Sequence, residues 1–128
     1  MIQVGTILNV IDNSGARKVC CIKIMKGYKQ RYAYVGDLVM ISIKSLRKKR
    51  KSTSKTKKGQ VYRALILRTK TSFRNSTSGE VVKFFENAVA LLNKQNKFIG
   101  TRVLGPLSSQ LRRTRYLRIL SIASGLIN

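Results

Sequence analysis

Apolar and polar positions alternate in short bursts along the first three quarters of the chain, and each burst ends at a cluster of turn formers. Thr6–Ile11 (TILNVI) is apolar and β-branched and stops at Asp12-Asn13-Ser14-Gly15. Lys18–Met25 (KVCCIKIM) resumes the pattern, with Val19, Cys21 and then Ile22 and Ile24 as the inward candidates, and stops at Lys26-Gly27. Leu38–Ile43 follows a Gly36-Asp37 turn, and Lys58-Gly59 leads into Val61–Thr69. Ser76–Gly79 is another turn. Val81–Phe85 and Ala88–Leu92 flank Glu86-Asn87 as the arms of a hairpin would. A period of two predicts strands, and the Gly, Asn, Asp and Ser clusters predict tight connections. About six short strands with frequent turns suit a small closed or nearly closed barrel rather than a βαβ layout. No internal repeat is visible.

The last quarter changes character. Gly100–Pro106 (GTRVLGP) reads as an ordered connection. Ser108 or Ser109 can cap a helix that begins at Gln110 and runs through QLRRTRYLRIL. Leu111, Leu117 and Leu120 suit its buried face. Arg112 and Arg115, three apart, share another face with Arg118 close by, and a face so rich in arginine predicts contact with RNA or a partner. The length predicts one domain over residues 1–128, with the barrel over about 1–100 and the helical segment over about 104–122.

Charge turns this outline toward a ligand. The 128 residues hold 27 Lys and Arg against 4 acids, for a net charge of +23. Arg47–Lys58 (RKKRKSTSKTKK) carries eight cations and no acid on one connection between two strands. A fold gains nothing from such repulsion, so it must be neutralised from outside, and a polyphosphate is the obvious partner. At 43% hydrophobic the chain still has the means to fold, unlike a basic tail. Around Tyr28, Tyr32 and Tyr34 lie Arg17, Lys18, Lys23, Lys26, Lys29 and Arg31. Cations beside aromatics can grip phosphates and stack on exposed bases or riboses, and packing of the tyrosines at the barrel edge is the alternative. The segment lacks the double aromatic signature of an RNA-recognition-motif sheet, so recognition of the shape and backbone of structured RNA fits best.

Catalytic chemistry finds little support. There is no His, and Asp12, Asp37 and Glu86 sit in turn signals that explain them without a reaction. Isolated glycines punctuate strands and form no phosphate-cradling motif. Cys20 and Cys21 are neighbours on a strand and point to opposite faces, so they predict reduced thiols, not a bridge. Too few soft ligands exist for a zinc site, and no stretch approaches the roughly 20 apolar residues of a membrane helix. The expectation is a protein with no catalytic residue, metal, cofactor or small-molecule substrate, and no membrane partner. The N-terminus enters a strand at once, without a signal or presequence pattern.

Several spaced motifs, in order, carry a resemblance. LNVIDNSGARKVCCIKI, RYAYVGDLVMISIK, KKGQVYRALILRTK and IGTRVLGP followed by LR resemble the universal large-subunit ribosomal protein family number fourteen, of bacterial type. The likeness runs from Met1 to about Ala123 and includes Ala64-Leu65-Ile66-Leu67, Ser78-Gly79, Phe84, Asn87 and Leu91, with Ala90 where Val is expected. It implies a mainly β fold, a five-stranded β-barrel with a projecting hairpin or basic loop and short C-terminal helices. It implies binding to large-subunit rRNA, contact with neighbouring large-subunit proteins, and a bridge to small-subunit rRNA at the interface. The candidate rRNA contacts are Arg17, Lys18, Lys23, Lys29, Arg31, Arg47, Lys48, Lys49, Arg50, Lys51, Lys55, Lys57 and Lys58, with Arg68 and Lys70 at the end of a strand.

The resemblance also implies a face that docks a ribosome-silencing factor. Its positions match Thr101, Arg102 and Arg115, the last being Arg where Lys is expected, and Arg112 joins them from the helix face. Two departures stand out. The Lys44–Lys57 loop is longer and more basic than the family's Pro- and Gly-containing one, and SIASGLIN replaces a commonly acidic, Pro-containing tail. The bias toward Lys, Asn, Ser and Ile favours an organelle-encoded, mitochondrial copy over one from bacterial cytoplasm. A free-standing RNA chaperone is the rival expectation, and an adaptor for acidic proteins a second.

Overall fold

A computed structural model describes residues 1–48, 54–75 and 78–127. Five strands form a closed barrel in the order β1 (Ile7–Val10), β2 (Ala16–Ile24), β3 (Leu38–Leu46), β4 (Val61–Arg68) and β7 (Ala88–Leu92). Neighbours are antiparallel except at the closure, where β7 runs parallel to β1 with Asn9 opposite Ala88. Leu8, Val10, Val19, Cys21, Ile24, Val39, Ile41, Ile43, Ile66, Val89 and Leu91 fill the interior. The mainly β, five-stranded barrel is therefore the fold of this chain.

β2 shows how the sequence reconciles apolar filling with cations. Strict alternation from Val19 and Cys21 would turn Lys23 inward. A register shift between Cys21 and Lys23 resets the phase, so Ile24 is buried while Ile22 and Lys23 face solvent. Ile22, an expected inward position, is thus 43% exposed. Further shifts between Ala16 and Val19 leave Arg17 and Lys18 both outside. Such bulges insert an extra residue and re-aim the side chains beside it.

β4 and β7 differ because both of their faces are covered. A second cluster on the outside of the barrel joins Leu65, Leu67, Ala88, Ala90 and Leu92 to Val103, Leu107, Leu111 and Ile119. All five residues of β7 are buried, which is why AVALL reads as an unbroken apolar run rather than an alternation. The cover comes from β8 (Val103–Ser108), a 3-10 turn (Ser109–Arg113), α1 (Arg118–Ile122) and β9 (Ala123–Ile127), with β9 parallel to β8.

Two sequence-based expectations are corrected. Val81–Phe85 and Ala88–Leu92 do not form a hairpin: β6 (Val81–Val82) pairs with β5 (Phe73–Arg74), and β7 pairs with β4 and β1. Glu86 and Asn87 are held by tertiary partners, Arg68 and Lys70, instead of closing a turn. Nor does one helix run from Gln110. Ser108 caps as expected, its hydroxyl accepting from the Gln110 N–H at 3.2 Å, but the turn ends at Thr114, whose N–H and hydroxyl both return to the Leu111 carbonyl. The phase restarts in α1, so Ile119 is buried and Leu117 is 56% exposed.

Candidate nucleic-acid interface

The Asp12–Gly15 turn between β1 and β2 is the hub on which distant basic segments converge. Asp12 is buried, and its carboxylate accepts the Ser14 N–H at 3.0 Å, the Ser14 hydroxyl at 2.5 Å and the Leu91 N–H of β7 at 2.9 Å. Burial raises its pKa above the ordinary carboxyl value, opposed by these hydrogen bonds and by the charge of Arg47. Asp12 is therefore more than the local turn former its sequence context suggests: it ties the turn to the closing strand.

Both described limbs of the basic loop rest on the same turn. The Arg47 N–H donates to the Gly15 carbonyl at 2.9 Å, and its guanidinium reaches the Val10 carbonyl at 3.2 Å. On the return limb Thr56 is fully buried, and its hydroxyl donates to the Ser14 carbonyl at 3.4 Å. Gly15 holds φ at +100°, and a Cβ there would stand 2.5 Å from that of Ser54. Only glycine lets the loop close down here.

Asn13 gathers a third segment. Its side-chain oxygen accepts the Thr101 N–H at 2.7 Å and the Arg102 N–H at 3.3 Å, and its amide donates to the Thr101 hydroxyl at 2.8 Å. Arg47, Thr101 and Arg102 consequently line one cleft with Asp12, Asn13 and Leu104. Lys55 reaches the Ile99 carbonyl at 3.5 Å. The sequence offered the basic loop and the Thr101-Arg102 pair as separate candidates, and the fold makes them neighbours. The organising role of Asn13 is invisible in the sequence, because nothing local to it marks a partner 88 positions away.

The remaining candidates are distributed. Arg17, Lys18 and Lys23 stand exposed on β2, and Lys29 and Arg31 on the β2–β3 connection. Lys48, Lys55, Lys57, Lys58 and Lys70 are exposed, while Lys49, Arg50 and Lys51 lie outside the described residues. Arg68 departs from the expected outward role. It is 8% exposed, and its guanidinium pairs with Glu86 at 2.7 Å, donates to the Pro106 carbonyl at 2.9 Å and also donates to the Leu104 carbonyl. Arg112 lies with Asn75, Ser78, Glu80, Ser109, Gln110 and Arg113 in another cleft, and Arg115 is exposed in the bend that follows the 3-10 turn. The helical spacing expected to unite Arg112 with Arg115 does not exist there.

Four acids are too few to pair most of the 27 cations of the chain. Asp37 accepts the Tyr34 N–H and pairs with Lys26 at 3.4 Å, and Glu86 also accepts from the Asn9 amide at 3.1 Å. Two ion pairs form among the described residues, against 27 cations in the chain.

A rigid small barrel with this surface has the makings of a nucleoprotein component rather than a catalyst. The family model described as Ribosomal protein L14p/L23e matches residues 1–127, and the chain belongs to that family. Its role is accordingly structural, in the large subunit of the ribosome, with rRNA and other ribosomal proteins as partners, and it is not an enzyme.

Proposed function

We propose that the chain anchors to large-subunit rRNA through the cationic ground around the Asp12–Gly15 turn and β2. From there it presents Thr101, Arg102, Arg112 and Arg115 to partners at the subunit interface. The observation that carries this reading is the convergence of Arg47, Thr101 and Arg102 on one cleft, held by Asn13. Arg17, Lys18, Lys23, Lys29, Arg31, Lys48, Lys55, Lys57, Lys58 and Lys70 supply the exposed phosphate contacts. Arg68 is left out of this set because its donors are engaged internally. Small-subunit rRNA, across a bridge, is the partner of the interface face, and a ribosome-silencing factor would compete for it. The compositional bias supports an organelle-encoded copy in mitochondria.

Sedimentation of a tagged copy tests the reading, with subunits separated at low magnesium. Stoichiometric migration with the large subunit is expected. Arg112→Glu with Arg115→Glu should leave that residence intact while lowering the fraction of joined subunits when magnesium is restored. A protein found mostly free, or smeared over unrelated RNAs, would favour the free-standing chaperone, against which the family membership weighs.

A further inference from the structure

We propose that Tyr28 is a stacking platform for one unpaired base of the rRNA, a role that rests on the rRNA-binding reading above. The structure separates the three tyrosines that the sequence groups together. Tyr32 is 37% exposed, and Tyr34 is 46% exposed with its hydroxyl at Met1 Sδ and Lys26 near its ring. Tyr28 is 90% exposed. It stands between Gly27 at φ +72° and Lys29 at φ +53°. Left-handed backbone on both sides turns the chain sharply and sets Tyr28 at the tip. Glycine adopts that conformation freely, whereas a lysine does so at a cost. An aromatic ring held out into water by a strained neighbour gains nothing for the fold.

The surroundings choose among ligands. Lys29 Nζ lies 5.4 Å from the Tyr28 ring centroid, and Lys26 and Arg31 are exposed on the same connection. The one acid near them, Asp37, is occupied by Lys26 and the Tyr34 N–H. An exposed ring with Lys29 beside its face and Arg31 exposed on the same connection matches a nucleotide, with a π-face to stack and a phosphate to neutralise. An apolar protein surface would leave those cations without partners. A base extruded from a helix or held in a loop presents the free face required, whereas a base within a duplex does not.

The chain contains no tryptophan, so Tyr28→Trp introduces a single reporter at this tip. Titration with large-subunit rRNA should quench its emission saturably, and inorganic polyphosphate of matched charge should not. Tyr28→Ala should bind that rRNA about 5- to 100-fold more weakly, and Tyr28→Phe within about threefold of wild type. Quenching by polyphosphate as well, or unchanged rRNA affinity in Tyr28→Ala, would overturn the stacking role and leave rRNA binding standing. Unchanged affinity with loss of Tyr28→Ala from assembled subunits would assign the ring to a protein neighbour. Failure of wild type itself to bind the rRNA would overturn both readings.

Discussion

Arg68 and Asp12 show that charge in a basic chain is not all surface. Arg68 joins three segments: its own strand, Glu86 before β7 and the Leu104–Pro106 carbonyls of β8. Gly105 makes room for it, since a Cβ at that position would run into the guanidinium. Arg68→Ala should cost about 2–4 kcal/mol in urea unfolding, through lost charge-assisted hydrogen bonds and a Glu86 left without its ion-pair partner. A loss below about 0.5 kcal/mol would mean that the clamp is dispensable. For Asp12 the sign follows from its raised pKa: the folded state holds the proton more tightly than the unfolded chain. The stability this contributes is present below the ordinary value of 3.8 and is lost as pH rises through the raised one. Asp12→Asn removes that dependence and leaves one backbone N–H without an acceptor, at about 1–3 kcal/mol. The gap between wild type and variant should therefore be widest in acid and narrow toward neutrality; a gap that widens would contradict the assignment. Neither role was legible in the sequence. Arg68 looks like any strand-end cation, and Asp12 like any turn acid, until strands far along the chain are placed beside them.

At the scale of elements, legibility tracks how local the cause is. The alternation of β1 and β3 records one buried face and one wet one, so it can be read directly, whereas the register shifts of β2 turn Ile22 outward against its local pattern. β4 and β7 record two buried faces, which period alone does not distinguish from a short buried helix. In the sequence β8 and β9 look like a connection and a tail. Pro106 and Gly125 lie opposite each other in this pair, and partners separated by the 3-10 turn and α1 leave no local imprint. The restart of helical phase after Thr114 had the same fate. It makes a paired prediction: Ile119→Ala should cost about 2–4 kcal/mol, whereas Leu117→Ala should stay within about 0.5 kcal/mol of wild type in the same denaturation series. Equal losses would restore the single continuous helix.

Across the whole molecule, composition was the most legible signal and placement the least. A charge of +23 announces a polyanionic partner, yet only the fold brings Arg47 beside Thr101 and Arg102. If these cations meet phosphates, rRNA affinity should fall with salt at a log–log slope of about −0.7 to −0.9 per contact. Arg47→Ala combined with Lys55→Ala should flatten that slope by about one to two units. An unchanged slope would remove both from the phosphate face.

The parallel closure of β7 on β1 bears on how the molecule comes into being. Asn9 leaves the ribosome early and its partner Ala88 late, so β1 to β4 can emerge before the strand that closes them into a barrel exists. The free edges of β1 and β4 stay available to any other extended chain until Leu92 has emerged, because pairing so distant in sequence cannot begin sooner. A message truncated before residue 88 therefore does not yield a weaker version of this protein. It yields a sheet with two sticky margins, and quality control rather than assembly decides its fate.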